Sequence, residues 1–391
     1  MNTYPPQPVT FVRGEGTLLW DEAGRRYLDF FSGVAVTSLG HAHPAVTDAV
    51  AKQARTLLHV SNHFATTVAP GVAATLDRLI RGGSGGPGPA GAKGRVFFCN
   101  SGAEANECAI KLARKRGGPD RHVVVSAYGS FHGRTLATLH ATGQPAKHKA
   151  FQPLPEGFRH AAWCDVAAFD AAVDDSVAAV LLEPVLGEGG VHPATPEFFA
   201  AVGKICDDRG ALLMIDEIQT GLGRTGRWFG FQHFGIEPDV VTMAKALGNG
   251  VPIGACWARD EVAATFAVGD HATTFGGQPF ATSAARAVLA AMEEADVPSR
   301  AVTAGGRLAA GLASLSGVHS VRGLGLLLAA ELAPPLQAKK VAAWALDGGL
   351  VVNPVTDSAL RLAPPLLVSD AEIDEGLALL RRALERGMLD P

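Results

Sequence analysis

The middle of the chain alternates short unbroken apolar runs with longer amphipathic stretches. The apolar runs lie at residues 95–99, 123–126, 177–182, 211–215 and 239–243. They show no alternation of apolar and polar positions, which is typical of strands covered on both faces in a parallel sheet. Helical patterns at 103–115 and 196–209 lie between some of these runs. This part of the chain is therefore predicted to be an α/β sandwich.

The two ends of the chain show other patterns. A turn from Asp21 to Gly24 between apolar stretches predicts a hairpin, and helices are expected at 44–58 and 70–80. A Gly/Pro-rich stretch at 81–91 predicts an exposed loop. Beyond Pro298 the patterns predict an α+β unit, with helices near 300–315, 336–347 and 370–386 and strands near 318–332, 350 and 360.

Composition narrows the class of protein. Of the 391 residues, 47% are hydrophobic and 18% are charged, and the net charge is -4. These values argue against disorder and against a non-specific nucleic-acid binder. The apolar runs are too short to cross a bilayer, and residues 1–16 lack the apolar core of a signal peptide. The five cysteines are dispersed, and no ligand spacing indicates a metal site. We expect a soluble cytoplasmic protein without metal.

A candidate anion site follows the first of the apolar runs. Ser101 and Glu104 have the spacing of a capping box at the start of a helix, and Gly102 between them lets a ligand approach the backbone closely. Free N–H groups at a helix start attract an anion such as phosphate. A helix cap without any ligand explains this segment equally well.

Two charged residues follow other apolar runs. Asp216 comes directly after a predicted strand, at the edge where open α/β sheets bind ligands. Lys245 follows the next strand among small and apolar residues, where burial would lower its pKa and make the amine nucleophilic. The alternatives are a carboxylate satisfied by a helix terminus or an arginine, and a lysine on a surface turn. Together with the anion site, however, these groups are what pyridoxal 5′-phosphate requires.

Six motifs strongly resemble those of the class III aminotransferases. They occur in the same order as in the family, and the resemblance extends from Tyr4 to Arg361. Within the class, the sequence motifs are most similar to those of the acetylornithine aminotransferases. The motifs are Asn100–Glu107, Phe131–Thr135, Glu183–Gly190, Asp216–Gly221, Ala244–Asn249 and Thr273–Gly277.

The resemblance implies the fold of a fold-type I transferase that depends on pyridoxal phosphate. Residues 46–296 would form the large α/β domain, which binds the cofactor with a mostly parallel sheet between helices. Residues 1–45 and 297–391 would form the smaller α+β domain. The family also implies a homodimer with the active sites at its interface.

The resemblance further implies roles for individual residues. Lys245 would bind the cofactor covalently and then move a proton, and Asp216 would pair with the pyridinium nitrogen. The other implied cofactor contacts are Gly102 and Ala103 at the phosphate, Phe131 and Ile218 on the two ring faces, Gln219 at the ring hydroxyl, Glu217, and Thr274 from the partner subunit. The implied substrate-binding residues are Arg134, Thr273, Glu188, Arg361 and Tyr4.

The two arginines bear on substrate choice. A planar guanidinium suits bidentate recognition of a carboxylate, so Arg134 and Arg361 would bind the two carboxylates of glutamate. By resemblance, Glu188 would mask Arg361 while the amino donor reacts. The alternatives are a surface ion pair for Glu188 and a solvated Arg361. Leu186 and His63 depart from the family pattern, and both bear on the choice of donor.

The implied reaction transfers the amino group of N2-acetyl-L-ornithine to 2-oxoglutarate in arginine biosynthesis. Its products are N-acetyl-L-glutamate 5-semialdehyde and L-glutamate. Other donors left open are N-succinyl-diaminopimelate, succinylornithine, ornithine and 4-aminobutyrate. The same scaffold also supports an isomerase, glutamate-1-semialdehyde aminomutase. The presence of both Glu188 and Arg361 favours a transaminase that handles two substrates.

Overall fold

The computed structural model describes residues 1–6, 8–82 and 93–389. Most of the loop predicted at 81–91 therefore lies outside the described residues. The strands, numbered in chain order, are β1 Phe11–Glu15, β2 Leu18–Asp21, β3 Arg26–Asp29, β4 Gly94–Cys99, β5 Val123–Ala127, β6 Phe158–Ala161, β7 Val177–Leu182, β8 Val185–Leu186, β9 His192–Pro193, β10 Leu212–Asp216, β11 Val240–Met243, β12 Gly254–Arg259, β13 Val318–Leu324, β14 Leu327–Leu332, β15 Leu350–Val351, β16 Asn353–Pro354 and β17 Ala359–Leu362.

Helices cover the sheets and connect their strands. In chain order they are α1 Ser32–Ala35, α2 Pro44–Thr56, α3 Ala69–Ile80, α4 Gly102–Gly117, α5 Leu136–Ala141, α6 Val166–Ala172, α7 Pro196–Arg209, α8 Asp260–Ala263, α9 Pro279–Glu294, α10 Val297–Ala313, α11 Ala338–Gly348 and α12 Asp370–Leu389. Short 3-10 helices lie at Pro145–Lys147, Lys149–Phe151, Gly230–His233 and Lys245–Leu247. Among the described residues, no helix is both long and apolar enough to cross a membrane.

The central sheet confirms the predicted α/β class. Within the described residues it has seven strands in the order β4-β12-β11-β10-β7-β5-β6. All of its pairings are parallel except those of β12, which runs antiparallel to both β11 and β4. Every residue of β7 is buried, as are all residues of β5 and β10. Burial on both faces explains why these strands read as unbroken apolar runs.

Within the described residues, three smaller sheets lie outside the central one. The first has the order β1-β2-β3-β15, the second has the order β13-β14-β17-β16, and the third pairs β8 with β9. The first joins the two ends of the chain, because β3 pairs in parallel with β15, with Leu28 opposite Leu350. Such pairing suits a small domain built from both ends of the chain. The domain division itself stays a prediction, and its first boundary, between residues 45 and 46, falls inside the first turn of α2.

Most predicted elements agree with the structure to within a few residues, but six of the described strands were not predicted. Four of them, β1, β8, β9 and β16, lie outside the central sheet, and the other two, β6 and β12, belong to it. Strand β6 forms the edge of the central sheet, and its residues are mostly half-buried rather than apolar and buried. Strand β12 contains Gly254 and Arg259 at its ends, so it does not read as one apolar run. The helix predicted over 44–58 ends at Thr56, and Leu57 and Leu58 are exposed.

Candidate active site

Strand direction brings the candidate residues to one edge of the central sheet. The strands β4, β5, β7, β10 and β11 run the same way and therefore end on the same side. A cavity of about 400 Å³ opens at these carboxyl ends, a volume within the range of small-molecule sites. The predicted residues that line it are Gly102, Ala103, Phe131, Arg134, Glu188, Asp216, Ile218, Gln219 and Lys245.

The start of α4 forms one wall of the cavity. The Ser101 hydroxyl accepts a hydrogen bond from the backbone N–H of Glu104 at 3.2 Å. The Glu104 carboxylate in turn accepts from the backbone N–H and the side chain of Asn100, at 2.6 and 2.8 Å. A Cβ atom on Gly102 would come within 2.7 Å of Cδ1 of Ile218, so glycine is needed to leave this wall open. The helix start remains available for an anion.

Asp216 lies at the bottom of the cavity, where it is 3% exposed. Its Oδ2 accepts hydrogen bonds from Nδ2 of Asn106 and from Nδ1 of His132, both at 2.8 Å. Its Oδ1 accepts from the backbone N–H of Ile218 at 3.0 Å. Thr242 donates to Oδ1 of Asn106 at 2.7 Å, which fixes the orientation of that amide. The carboxylate is therefore held in one orientation by fully buried neighbours.

The sequence interpretation missed both side chains that hold Asp216. His132 and Asn106 lie in two of the motifs named above, Phe131–Thr135 and Asn100–Glu107, but the sequence analysis gives neither of them a role. Asn106 lies one helical turn after Gly102, on the side of α4 that faces the sheet. An amide among the buried positions of that helix, four residues from the anion site, was the available signal.

Lys245 faces the cavity from the loop after β11. It has a positive φ of 42°, a backbone conformation that is strained for a lysine. Burial lowers the pKa of the Lys245 amine to about 8, although the nearby Glu188 carboxylate acts in the opposite direction. A substantial fraction of this amine is thus neutral, and hence nucleophilic, near physiological pH.

Arg361 reaches the cavity from the smaller part of the fold. It lies on β17 and is only 2% exposed. Its guanidinium pairs with Oε1 of Glu188 at 2.5 Å and also donates to Oε1 of Gln219 at 3.2 Å and to Oδ1 of Asn353 at 2.8 Å. Burial raises the pKa of the Glu188 carboxyl, but the charge of Arg361 and its hydrogen bond outweigh burial and lower it overall. Arg361 is therefore not a solvated arginine, which was its alternative. The ion pair of Glu188 is made with a buried guanidinium, whereas the alternative was an ion pair at the surface.

Phe131 and Arg134 form the outer part of the cavity. The Arg134 side chain is exposed, and its guanidinium lies 5.5 Å from the centre of the Phe131 ring. Phe131 is held from behind, because its backbone N–H donates to Oε2 of Glu183 at 2.9 Å. Burial raises the pKa of the Glu183 carboxyl to about 7. Glu183 was not predicted as a site residue, although the motif that contains it was noted.

Four predicted residues do not reach this cavity. The Glu217 carboxylate points away from it and accepts hydrogen bonds from Thr220, from the backbone N–H of Gly230 and from that of Phe231. This geometry does not support a contact between the Glu217 side chain and the cofactor, because successive side chains at the end of β10 point to opposite sides. The other three residues are Thr273 and Thr274, which line a separate groove, and Tyr4, which is 81% exposed.

The aminotransferase class-III family model matches residues 2–384 of the chain. The chain belongs to the class-III aminotransferases. This match covers almost the whole sequence, so the family assignment applies to the complete fold and not to one part of it.

Individual members of the family are similar to this chain along nearly their whole length. The acetylornithine aminotransferase of Gloeobacter violaceus is 49% identical over 395 aligned residues, which cover 99% of this chain and 96% of the relative. The N-acetylornithine aminotransferase structure from Stenotrophomonas maltophilia is 35% identical, with a TM-score of 0.84 over 99% of this chain and 98% of the other. The ornithine aminotransferase structure from Toxoplasma gondii is 30% identical, with a TM-score of 0.92 over 100% and 93%.

Class-III aminotransferases depend on pyridoxal phosphate, and the cavity of this member fits that cofactor. Gly102 places no side chain of its own at the helix start, where a Cβ atom would come within 2.7 Å of the Ile218 side chain. Asp216 is aimed into the cavity by its buried partners, and the Lys245 amine, with its lowered pKa, faces the same space. These groups provide an anion site, a carboxylate for a ring nitrogen and an amine for a carbonyl, which is the set the cofactor needs.

The lowered pKa of Lys245 predicts how the rate of cofactor attachment depends on pH. Only the neutral amine attacks a carbonyl, so the rate at which the apoprotein attaches pyridoxal phosphate should rise with pH and level off above about pH 8. An unperturbed lysine would instead give a rise up to about pH 10.4. Stopped-flow absorbance after mixing apoprotein with the cofactor measures this rate. A rise that continues well past pH 9 would contradict the lowered pKa.

Proposed function

We propose that this protein transfers the amino group of N2-acetyl-L-ornithine to 2-oxoglutarate. The products are N-acetyl-L-glutamate 5-semialdehyde and L-glutamate, and the reaction is a step of arginine biosynthesis. The observation that carries the proposal is the pair of arginines at the cavity. Arg134 is exposed and forms no ion pair with a described residue, whereas Arg361 is buried and paired with Glu188. Names of relatives with 45–49% identity over nearly the full chain support the same donor.

The chemistry divides between the cofactor and the chain. Pyridoxal phosphate, when bound, supplies an electron sink for the electron pair released at the reacting carbon. Nζ of Lys245 removes the proton at that carbon and returns it on the other side of the transfer. Asp216 would stabilise the protonated ring nitrogen, and Phe131 and Ile218 would contact the ring. The N–H groups of Gly102 and Ala103 would bind the phosphate.

The two arginines let one site accept two substrates. The donor has one carboxylate and a reacting amine at its other end, so Arg134 alone can bind it. Arg361 then stays paired with Glu188, which avoids the cost of an unpaired buried cation. Glutamate and 2-oxoglutarate have two carboxylates, and the second one displaces Glu188 from Arg361. The Glu188–Arg361 pair thus acts as the element that distinguishes the two half-reactions.

Removing Glu188 is therefore expected to change the ratio of kcat/KM between the two half-reactions. In Glu188→Ala, kcat/KM for glutamate should rise relative to that for acetylornithine by roughly ten- to a hundredfold, the scale of one charge-assisted hydrogen bond. The reason is that the carboxylate which competes with the substrate is gone. Single-turnover absorbance of each half-reaction measures the two values separately.

Glu293→Ala is the matched control for this variant. Glu293 pairs with Arg78 at 2.6 Å and its side chain is 32% exposed, against 2.5 Å and 33% for Glu188. The Arg78–Glu293 ion pair joins α3 to α9 and does not line the cavity. The ratio of kcat/KM between the two half-reactions should therefore not change in Glu293→Ala. If Glu188→Ala and Glu293→Ala give the same ratio as the wild type, Glu188 does not gate Arg361.

A panel of amino donors tests the proposed function itself. With 2-oxoglutarate as acceptor, kcat/KM should be higher for acetylornithine than for N-succinyl-diaminopimelate, succinylornithine, ornithine or 4-aminobutyrate. A higher value for another donor would replace acetylornithine as the substrate. Turnover of glutamate-1-semialdehyde without any use of 2-oxoglutarate would identify an aminomutase instead.

We also propose that the active form is a homodimer in the cytoplasm. Thr274 lies outside the cavity, on a groove that is also lined by Phe64. Phe64 and Phe275, which follows Thr274 in the chain, are 71% and 67% exposed. Exposed aromatic residues of this kind are typical of protein interfaces. Thr273 and Tyr4 would then act near the cavity of the partner subunit. All five cysteines are free thiols, which supports a reducing compartment. Light scattering of the purified protein tests the dimer.

A further inference from the structure

One carboxylate in the wall of the cavity accepts hydrogen bonds from two separate segments of the chain. Glu183 directly follows β7, lines the cavity and is 6% exposed. Its Oε2 accepts from the backbone N–H of Phe131 at 2.9 Å, and its Oε1 accepts from that of Gly187 at 3.2 Å. Gly187 directly precedes Glu188, in the turn between β8 and β9. The carboxylate thus joins the turn that carries Glu188 to the loop of the residue that would face the cofactor.

The turn between β8 and β9 is packed against the residues that surround the Glu188 ion pair. A Cβ atom on Gly187 would overlap Oε1 of Gln219, so glycine is needed for this close approach. The same oxygen accepts a hydrogen bond from the Arg361 guanidinium at 3.2 Å, and that guanidinium pairs with Glu188 at 2.5 Å. A hydrogen bond that fixes the backbone of Gly187 therefore also limits how far Glu188 can move from Arg361.

The chemistry of the Glu183 side chain indicates that both of its oxygens are needed. Burial raises the pKa of this carboxyl to about 7, so an ionised group is costly at this position. The two backbone donors meet different oxygen atoms, and an amide in the same place has an oxygen for only one of them. The other N–H group would then be buried beside a second donor and left unsatisfied. A neutral side chain of the same size could not hold both segments.

We propose that Glu183 is a positioning residue that keeps Glu188 paired with Arg361. It does so by tying the turn between β8 and β9 to the backbone of Phe131. The inference rests on the proposed function, because it concerns the ion pair that distinguishes the two half-reactions. It goes further, because it assigns the strength of that pair to a residue outside it.

Loosening this turn should affect the two substrates in opposite ways. Glu188 would leave Arg361 more readily, so the second carboxylate of glutamate would meet less competition at the guanidinium. The amino donor has no carboxylate to replace Glu188, and Arg361 would be left as an unpaired buried cation while the donor reacts. Weaker positioning therefore favours glutamate over the donor.

The test measures the ratio of kcat/KM for glutamate to kcat/KM for acetylornithine, from single-turnover absorbance of each half-reaction of the holoenzyme. Both values come from one preparation, so their ratio does not depend on the fraction of protein that is folded. The test variant is Glu183→Gln, and Glu217→Gln is its matched control. Glu217 is also buried, its pKa is likewise raised by burial to about 7, and it accepts hydrogen bonds from two backbone N–H groups outside the cavity.

We expect the ratio to rise roughly three- to tenfold in Glu183→Gln, on the scale of one hydrogen bond, and to keep its wild-type value in Glu217→Gln. In a Glu188→Ala background, adding Glu183→Gln should leave the ratio unchanged, because the side chain that Glu183 positions is absent. If Glu183→Gln yields no folded protein, Glu183→Asp replaces it. Aspartate keeps both oxygens but draws them back by one carbon, and it should raise the ratio in the same sense.

Three results would overturn the inference. The first is an unchanged or lower ratio in Glu183→Gln. The second is an equal rise in Glu217→Gln, which would mean that loss of any buried carboxylate has this effect. The third is an equal rise in the Glu188→Ala background, since Glu183 would then act independently of Glu188.

Failure of this inference can be told apart from failure of the proposed function. If the wild type prefers another donor to acetylornithine, the proposed function fails, and the same ratio is then measured with the preferred donor. If Glu188→Ala itself leaves the ratio unchanged, Glu188 does not gate Arg361, and the inference fails with the gate. If Glu188→Ala raises the ratio and Glu183→Gln does not, the proposed function stands and only the inference about Glu183 is overturned.

Discussion

Replacing Lys245 with alanine is expected to lower turnover by about four orders of magnitude or more. The side chain has two tasks, because its neutral amine attaches the cofactor and the same nitrogen then moves the proton at the reacting carbon. Proton transfer by a positioned side chain alone contributes about 10²–10⁴-fold, and the covalent attachment adds to that. Steady-state assays with acetylornithine and 2-oxoglutarate measure the loss.

Cofactor binding should survive this substitution in a non-covalent form. The helix start at Gly102 and the Asp216 carboxylate do not depend on the lysine, so equilibrium dialysis should still detect bound pyridoxal phosphate in Lys245→Ala. The visible absorption of the lysine-linked cofactor should be absent. Sustained transamination by this variant would overturn the assignment of Lys245.

Lys245→Arg is the matched variant, because it retains a positive charge at the same position. Arginine stays protonated at all ordinary pH values and is therefore no nucleophile. If charge alone mattered, this variant would retain activity. We expect it to be as inactive as Lys245→Ala.

Replacing Asp216 with asparagine is expected to lower kcat by roughly a hundred- to a thousandfold. A preorganised charge that stabilises a developing charge is worth about 3–4 kcal/mol in other enzymes, which corresponds to this loss. Without the carboxylate the ring nitrogen is no longer held protonated. The new amide would also meet the Nδ2 donor of Asn106, whose orientation Thr242 fixes, so some stability should be lost as well.

Single-turnover rates and thermal melting together separate these two effects. Glu217→Gln is the control, since Glu217 is an adjacent buried carboxylate that accepts hydrogen bonds outside the cavity. It should lower the melting temperature while kcat per folded protein stays close to that of the wild type. Near wild-type rates in Asp216→Asn would mean that another group protonates the ring.

His132 shows how far sequence reasoning could go at this site. Its neighbours Phe131 and Arg134 were predicted from the motif, and both line the cavity. The His132 side chain, by contrast, turns inward and bonds to a carboxylate 84 positions further along the chain. No local pattern reports such a contact, because it depends on how β10 and the loop after β5 lie side by side in the folded sheet. The same holds for Glu183, which supports Phe131 from the end of β7.

The class of fold, the family and the chemistry of the individual strand ends follow from the amino-acid sequence alone. Doubly covered strands must be apolar throughout, and a capped glycine-containing helix start, a carboxylate and a lysine after such strands are local features that a chain displays in order. These properties require no knowledge of distant contacts, which is why they could be predicted.

Which of those side chains meet, and which face away from one another, depends on the tertiary structure. It paired Arg361 of β17 with Glu188, residues 173 positions apart, and it turned Glu217 away from the cavity although its neighbour Asp216 points into it. Side-chain direction and charge pairing depend on strand register and on contacts between distant segments, and a linear pattern contains neither.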